Sequence, residues 1–351
     1  MQLNFLSLAP DRIRKSFLNP SFKNHQRVST NHMTFKRTEA YYNKARKRIL
    51  FVNPGVVCKE LFQESKFSQN FKSILFTWDK KHVDLVKYIK RLKIKKIVIE
   101  SSGQIVIPDH FIQQLVSARL EGLEIYDSVA FYEKITGRTP IVHLSADWYL
   151  NDDIFSINTS TCSYKLKRAF DIAISLTLIP FASFFVLLGA LGIKLSSKGP
   201  ILFKQARIGR GGVPFIMFKL RTMRINSTDK SHTVKNDARI TRVGKILRLT
   251  KIDELPQLVN ILRGEMSLIG PRPEQHDIVE QFKIENPYYD LRHIIRPGVT
   301  GWAQVNRPKA TPLENLEKLE YDLFYVKNLS PIIDARIFYK TIKVIMTLDS
   351  N

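Results

Sequence analysis

A chain of 351 residues with 44% hydrophobic and 25% charged side chains has room for about two domains and is not a low-complexity or disordered polymer. Two cysteines, Cys58 and Cys162, exclude a disulfide framework and a four-ligand zinc site. The formal charge of +23 asks for an acidic partner: nucleic acid, an anionic membrane surface or a phosphorylated substrate. The charge is localised, with 11 Lys/Arg against 2 acids over residues 1–50 and 12 against 2 over 201–250, but 3 against 6 over 101–150. No helix-turn-helix, zinc-finger or RNP-type pattern accompanies it, so nucleic acid is not the expected partner.

Residues 1–47 are polar and basic without sustained periodicity, and a poorly ordered segment is expected there. Met1–Pro10 lacks the features of a signal peptide, so export is not expected. From Arg48 the pattern alternates. Ile49–Val52, Ile74–Phe76, Lys96–Glu100 and Leu123–Tyr126 have strand chemistry, and His82–Leu92 and Asp109–Glu121 have helical spacing. That alternation predicts a parallel sheet in a small Rossmann-like domain over 48–140. Pro54-Gly55 follows the first strand with no G-x-G-x-x-G, which disfavours a dinucleotide cofactor. A linker is expected over 141–164.

Ile172–Ile193 is 22 residues without a charge, a helix of about 33 Å and enough to cross a bilayer. The bland alternative is a buried central helix. Both flanks of this membrane segment, placed at 165–200, are basic: Lys165, Lys167 and Arg168 before it, Lys194, Lys198 and Lys204 after it. The positive-inside rule places both flanks in the cytoplasm. Pro180 removes a helical hydrogen bond and can turn the helix back, giving a re-entrant hairpin; a plain span is the alternative.

The catalytic region is expected at 201–351. Asp253-Glu254 before Leu255-Pro256 reads either as ordinary helix-opening chemistry or, among so many cations, as a pair of ionised carboxylates fit for nucleophilic attack and metal or proton binding. Lys219, Arg221 and Arg224 recur along a predicted strand, FIMFKLRTMR, expected to present one cationic face to a polyphosphate. Gly209, Gly211 and Gly212 suit either a phosphate loop or a hairpin turn. Pro271-Arg272-Pro273 fixes an arginine in a rigid turn. The tail Pro331–Leu348 suits a membrane surface or an ordinary terminal helix.

KRAFD and the apolar segment, then KQARIGRGG, FKLRTM, DARITRVGKILR, DELPQLVNILRGEMSLIGPRP and RPGVTGWAQVN in that order, closely resemble the bacterial sugar transferases, the monotopic polyprenyl-phosphate phosphoglycosyl transferases. The resemblance covers roughly 165–348, and YEKITGRTP at 132–140 resembles the domain that precedes the catalytic part in larger members. It implies transfer of a sugar 1-phosphate from a UDP-sugar to polyprenyl (undecaprenyl) phosphate, with UMP released, at the start of exopolysaccharide, capsule or O-antigen synthesis. Asp253 falls on the family's nucleophile, which forms an aspartyl phosphosugar, and Glu254 on its partner. Magnesium is the implied cofactor, with Asp253 and Glu254 the candidate ligands. Lys219, Arg221, Arg272, Gln304 and Arg307 fall on positions that serve the substrate phosphates or close the pocket. The implied location is the bacterial inner membrane with the catalytic part facing the cytoplasm, and a homodimer is compatible with the family.

Three departures stand out. Ile179 occupies a place before the hairpin proline where many members have Ser, so hydroxyl help in breaking the helix is expected to be missing. Asn306 is followed by Arg307-Pro308 where a glycine often stands. Large members carry about four N-terminal membrane helices, and residues 1–48 hold none, so a shortened architecture or a lost start is expected. The competing reading is a non-catalytic membrane scaffold that retains the fold; the intact DELPQ and GPRP argue against it. Because dyad, membrane segment and cations all lie beyond residue 160, a chain starting near Thr159 is expected to keep its transfer activity.

Overall fold

Apolar and β-branched runs that are hydrophobic at every position become strands covered on both faces. In the computed structural model, which describes residues 47–77, 85–100, 107–144, 162–224, 237–307 and 315–346, β1 (Lys47–Val52) is such a strand. Its Ile49, Leu50, Phe51 and Val52 are fully buried. It pairs in parallel with β2 (Phe71–Phe76) and β3 (Lys96–Ile99), and β4 (Glu124–Asp127) adds beyond β3, giving the order β2-β1-β3-β4. Helices α1 (Val56–Gln63), α2 (Ser65–Asn70) and α5 (Ser128–Thr136) contribute Leu61, Phe67 and Phe131 to one core. Helices α3 (Leu85–Leu92) and α4 (Asp109–Leu120) contribute Leu85, Ile89, Phe111 and Leu115 to the other. The alternation of strand and helix follows the sequence expectation; α1, α2 and α5 are additional, their apolar spacing being too brief to register. At Gly55, heading α1, the backbone N–H donates to the buried Glu100 carboxylate at 2.9 Å, and Ser128 Oγ donates to the same group at 2.7 Å. A carboxylate of the protein itself thus takes up the N–H at the head of α1. The N-terminal segment up to Arg46, most of the 141–164 linker and Pro308 lie outside the described residues.

The remainder is organised around one long helix, α6 (Cys162–Ser196), with Pro180 inside it. Against it lie an antiparallel hairpin, β5 (Leu202–Ile208) with β6 (Pro214–Leu220), and helices α7 (Arg242–Leu249) and α8 (Gln257–Arg263). A short parallel pair, β7 (Ser267–Ile269) with β8 (Gly298–Thr300), follows, with α9 (His276–Glu285), α10 (Trp302–Asn306), α11 (Asn315–Lys327) and α12 (Pro331–Met346) around it. Residues 46–351 form one compact unit.

Helix α6 packs on this body along its whole length. Before the proline, Arg168 donates to the carbonyls of Ile261 (2.6 Å) and Leu262 (3.0 Å), and Asp171 accepts the Leu268 N–H at 3.1 Å. Beyond it, Ala182 joins Phe215, Met217 and Leu258, and Ile193 joins Leu220 and Leu247. The opposite face is open. Phe181 is 68% exposed, Phe184 60% and Leu187 69%, and of the helix's most apolar stretch only 17% is buried. A buried central helix is therefore excluded. Among the described residues this is the one helix long and apolar enough to cross a membrane. Near Pro180, Thr177 donates to the Ala173 carbonyl (2.9 Å) and Ser183 to that of Ile179 (2.8 Å), but α6 runs as one helix through the proline rather than as two hairpin arms.

Candidate active site

The dyad is held between two elements. Lys251, with φ +60°, ends the α7 region in a left-handed turn, and Ile252–Glu254 form one 3-10 turn leading through Pro256 into α8. Asp253 is 7% exposed. Its Oδ1 is buried with no hydrogen-bond partner. Burial, and then the neighbouring Glu254 charge, push its carboxyl above the ordinary aspartate range. Glu254 is in the opposite situation. Burial alone raises it, but Arg272 and Lys219 overcome that and hold it well below the usual carboxylate range. Its Oε1 accepts from Lys219 Nζ at 3.0 Å and from Arg272 Nη2 at 2.8 Å. The two carboxylates thus differ in kind: one clamped and ionised, one unclamped and poorly solvated.

The clamp is positioned by buried neighbours. Lys219 lies near the end of β6, which is fastened to α8 by the fully buried Asn260. Phe218 N–H donates to Asn260 Oδ1 at 3.1 Å, and Asn260 Nδ2 donates to the Ile216 carbonyl at 2.7 Å. Burial lowers the Lys219 ammonium pKa against the opposing pull of Glu254. Arg272 sits in the Gly270–Pro273 turn. Its carbonyl accepts from Arg292 Nη2 at 2.8 Å, and Arg292 is locked by Asp322 of α11 at 2.7 Å. Gly270 must be glycine, since a Cβ there would come 2.4 Å from the Arg296 carbonyl.

Not every sequence candidate joins the dyad. The predicted strand FIMFKLRTMR stops at Leu220. Arg221 is 5% exposed and donates to the Lys198 and Ser197 carbonyls, both at 2.8 Å, just beyond the end of α6. Arg224 pairs its N–H with the Arg239 carbonyl, and an interval of three from Arg221 reverses the face of any strand. The single cationic face therefore reduces to Lys219. Gly209, Gly211 and Gly212 form the β5–β6 hairpin turn, with Gly211 and Gly212 at φ +67° and +77°. Gln304 donates to the Val299 carbonyl at 3.1 Å and leaves Oε1 buried without a partner. Arg307, 44% exposed at its side chain, pairs with Glu317 at 2.8 Å.

Sequence reasoning missed two contributors. Arg207, in KQARIGR, lies partly buried near Arg272 and Glu254, its Nη1 donating to the Pro273 carbonyl at 3.2 Å while Nε has no partner. Gln257, the last residue of DELPQ, is 2% exposed with Nε2 unpartnered. The signal was their place inside motifs already singled out. Asp253 Oδ1, Gln257 Nε2, Arg207 Nε and Gln304 Oε1 are thus orphaned buried polar atoms within the same motif set, which is the pattern of groups that wait for a ligand.

The family model for the bacterial sugar transferases matches residues 162–348. The chain belongs to the bacterial sugar transferase family. Among its relatives, an Aeromonas hydrophila protein named UDP-N-acetylgalactosamine-undecaprenyl-phosphate N-acetylgalactosaminephosphotransferase is 41% identical over 66% of this chain and 55% of its own. A Klebsiella pneumoniae protein named UDP-glucose:undecaprenyl-phosphate glucose-1-phosphate transferase is 34% identical over 82% of this chain and 62% of its own. A Rhizobium leguminosarum protein named exopolysaccharide production protein PSS is 44% identical over 50% of this chain and 93% of its own. The chain thus spans little more than half the length of the first two relatives. The sugar transferase match begins with α6 and ends in the α12 region, so it contains the dyad, both clamp residues and the apolar helix.

Proposed function

We propose that this sugar transferase moves a sugar 1-phosphate from a UDP-sugar to undecaprenyl phosphate at the cytoplasmic face of the bacterial inner membrane, opening the assembly of a surface polysaccharide. The observation that carries the reading is the unequal dyad: Asp253 buried with a free oxygen, beside Glu254 clamped by Lys219 and Arg272. An Asp253 oxygen attacks the sugar-side phosphorus of the diphosphate. The bond from that phosphorus to the bridging oxygen breaks, and UMP leaves with the electron pair. An oxygen of the lipid phosphate then attacks the same phosphorus and returns the Asp253 carboxylate. A carboxylate that is poorly solvated and unpaired is a better nucleophile than one held by two cations, which assigns attack to Asp253 rather than Glu254. Arg272, Lys219 and Arg207 supply positive charge for the phosphates.

Magnesium fits this donor set, since Mg²⁺ is typically held by one or two carboxylates with substrate phosphates completing its shell, and Asp253 Oδ1 is a buried oxygen without a partner. Asp253 and Glu254 would hold it, and it would neutralise charge on the diphosphate.

The apolar face of α6 supports a membrane-seated catalyst, and its two ends support a re-entrant path. Residues before and after Pro180 dock on the same body, which supports the reading that both basic flanks face one side of the bilayer. The test is incubation of membranes carrying the full chain with undecaprenyl phosphate and UDP-glucose or UDP-N-acetylgalactosamine. UMP release with a phosphosugar trapped on Asp253 is expected. Release of UDP instead would overturn phosphoglycosyl transfer.

A further inference from the structure

The corner Gly137-Arg138-Thr139, at the end of the N-terminal sheet region, meets the catalytic half at two places that both lead to Arg272. Arg138 is nearly buried. Its Nη1 lies 3.0 Å from Glu317 and 3.6 Å from Glu320, both on α11, while its Nη2 engages Glu64 and donates to Tyr132 OH at 2.9 Å. Thr139 N–H donates to the Glu320 carbonyl at 3.1 Å. Two residues on, α11 carries Asp322, which locks Arg292, and Arg292 donates to the Arg272 carbonyl at 2.8 Å. The second route runs through α10. Trp302 Nε1 donates to the Gly137 carbonyl at 2.8 Å, and its ring stacks on Phe324 of α11. Beside it, Gly301 is pressed so closely on Gly270 that a Cβ would lie 2.2 Å from the Gly270 carbonyl. Gly137 itself is glycine for two reasons: φ is +70°, and a Cβ would meet Trp302 at 3.1 Å.

We infer that the 137–139 corner is a positioning element of the active site: by anchoring α10 and α11 it braces both sides of the Gly270–Pro273 turn and so holds Arg272 against Glu254. The inference rests on the transferase reading for its consequence, donor binding, but not for its geometry. It also revises the expectation for a chain that begins near Thr159. Such a chain keeps the dyad yet leaves Trp302 Nε1 and Glu320 without the Gly137, Arg138 and Thr139 partners they have here, so weakened donor binding is expected of it.

The test uses the full chain with Arg138→Gln, Arg138→Lys and Trp302→Phe; the last keeps the ring stack and removes only the donor to Gly137. Donor KM, the dissociation constant of UDP by calorimetry, and hydrogen exchange at the Gly270 and Gly298 amides are measured. These amides pair with Thr300 and Pro271 carbonyls across the braced turn. Arg138→Gln and Trp302→Phe are expected to raise donor KM and the UDP constant about tenfold and to speed exchange at both amides, with partial recovery in Arg138→Lys. A smaller folded fraction would lower the apparent kcat without moving KM. If Arg138→Gln does not fold, Trp302→Phe decides the matter alone. Unchanged donor KM, UDP binding and exchange in folded variants would overturn the brace. A wild-type chain that neither binds UDP nor turns over any UDP-sugar would instead sink the transferase reading, and exchange alone would then judge the brace.

Discussion

Replacing Asp253 by Asn tests the assignment of the nucleophile with almost no change of shape. The amide cannot form the acyl phosphate. Glu254 cannot stand in, because its Oε1 is held at 3.0 Å by Lys219 and 2.8 Å by Arg272. Turnover should fall at least about 10³-fold, or about 4 kcal/mol of barrier at 1.36 kcal/mol per decade. Stability should move little, because two effects oppose. The substitution removes a buried carboxylate whose charge is disfavoured by burial and by Glu254. It introduces amide hydrogens where Oδ1 had no partner, costing about 1–3 kcal/mol if they stay unpaired. A melting temperature within about 4 °C of wild type is expected. UMP release from UDP-sugar with undecaprenyl phosphate, set beside a thermal melt, reads both quantities. Near-wild-type UMP release by a folded Asp253→Asn protein would refute the assignment.

Asn260→Ala should cost about 2–5 kcal/mol, because it strands the Phe218 N–H and the Ile216 carbonyl in the core; a urea denaturation midpoint matching wild type would contradict the fastening role. Tags at Lys165 and Lys198 should both be reached from the cytoplasmic side alone, and Pro180→Leu, which removes a helix-interior penalty of about 3 kcal/mol, should shift the segment toward spanning. Protection of either wild-type tag until permeabilisation would establish a span. Glu320, pushed up to about 8 by burial despite Arg138, keeps its proton in the folded state where the unfolded chain has lost it. Its contribution to stability therefore falls as pH rises from about 5 to about 8, and Glu320→Gln should flatten that slope in denaturation curves at pH 5.5 and 8.5. Equal slopes in the two proteins would rule out Glu320 as the titrating group.

Local chemistry wrote much of this protein into its sequence. The uncharged run 172–193, the basic flanks, the strand and helix alternation from Lys47, and the ordered motifs around Asp253-Glu254 and Arg272 are properties of neighbouring residues, and periodicity and charge expose them directly. Which cation meets which carboxylate was not local. Lys219 and Arg221 stand two apart in one motif, yet the strand ends between them, so one reaches Glu254 and the other binds the carbonyls beyond α6. The roles of Asn260, Arg292 and Asp322 depend on partners 20 to 44 residues away, and those of Gly137 and Trp302 on a contact across 165 residues. Glu100 at Gly55 is likewise a long-range arrangement that the missing glycine pattern only hinted at. Sequence thus determined which groups were present and what the long periodic segments would become. Only the tertiary structure decided which buried charge was left unpaired, because desolvation and pairing are set by what packs around a group in three dimensions, not by what precedes it in the chain.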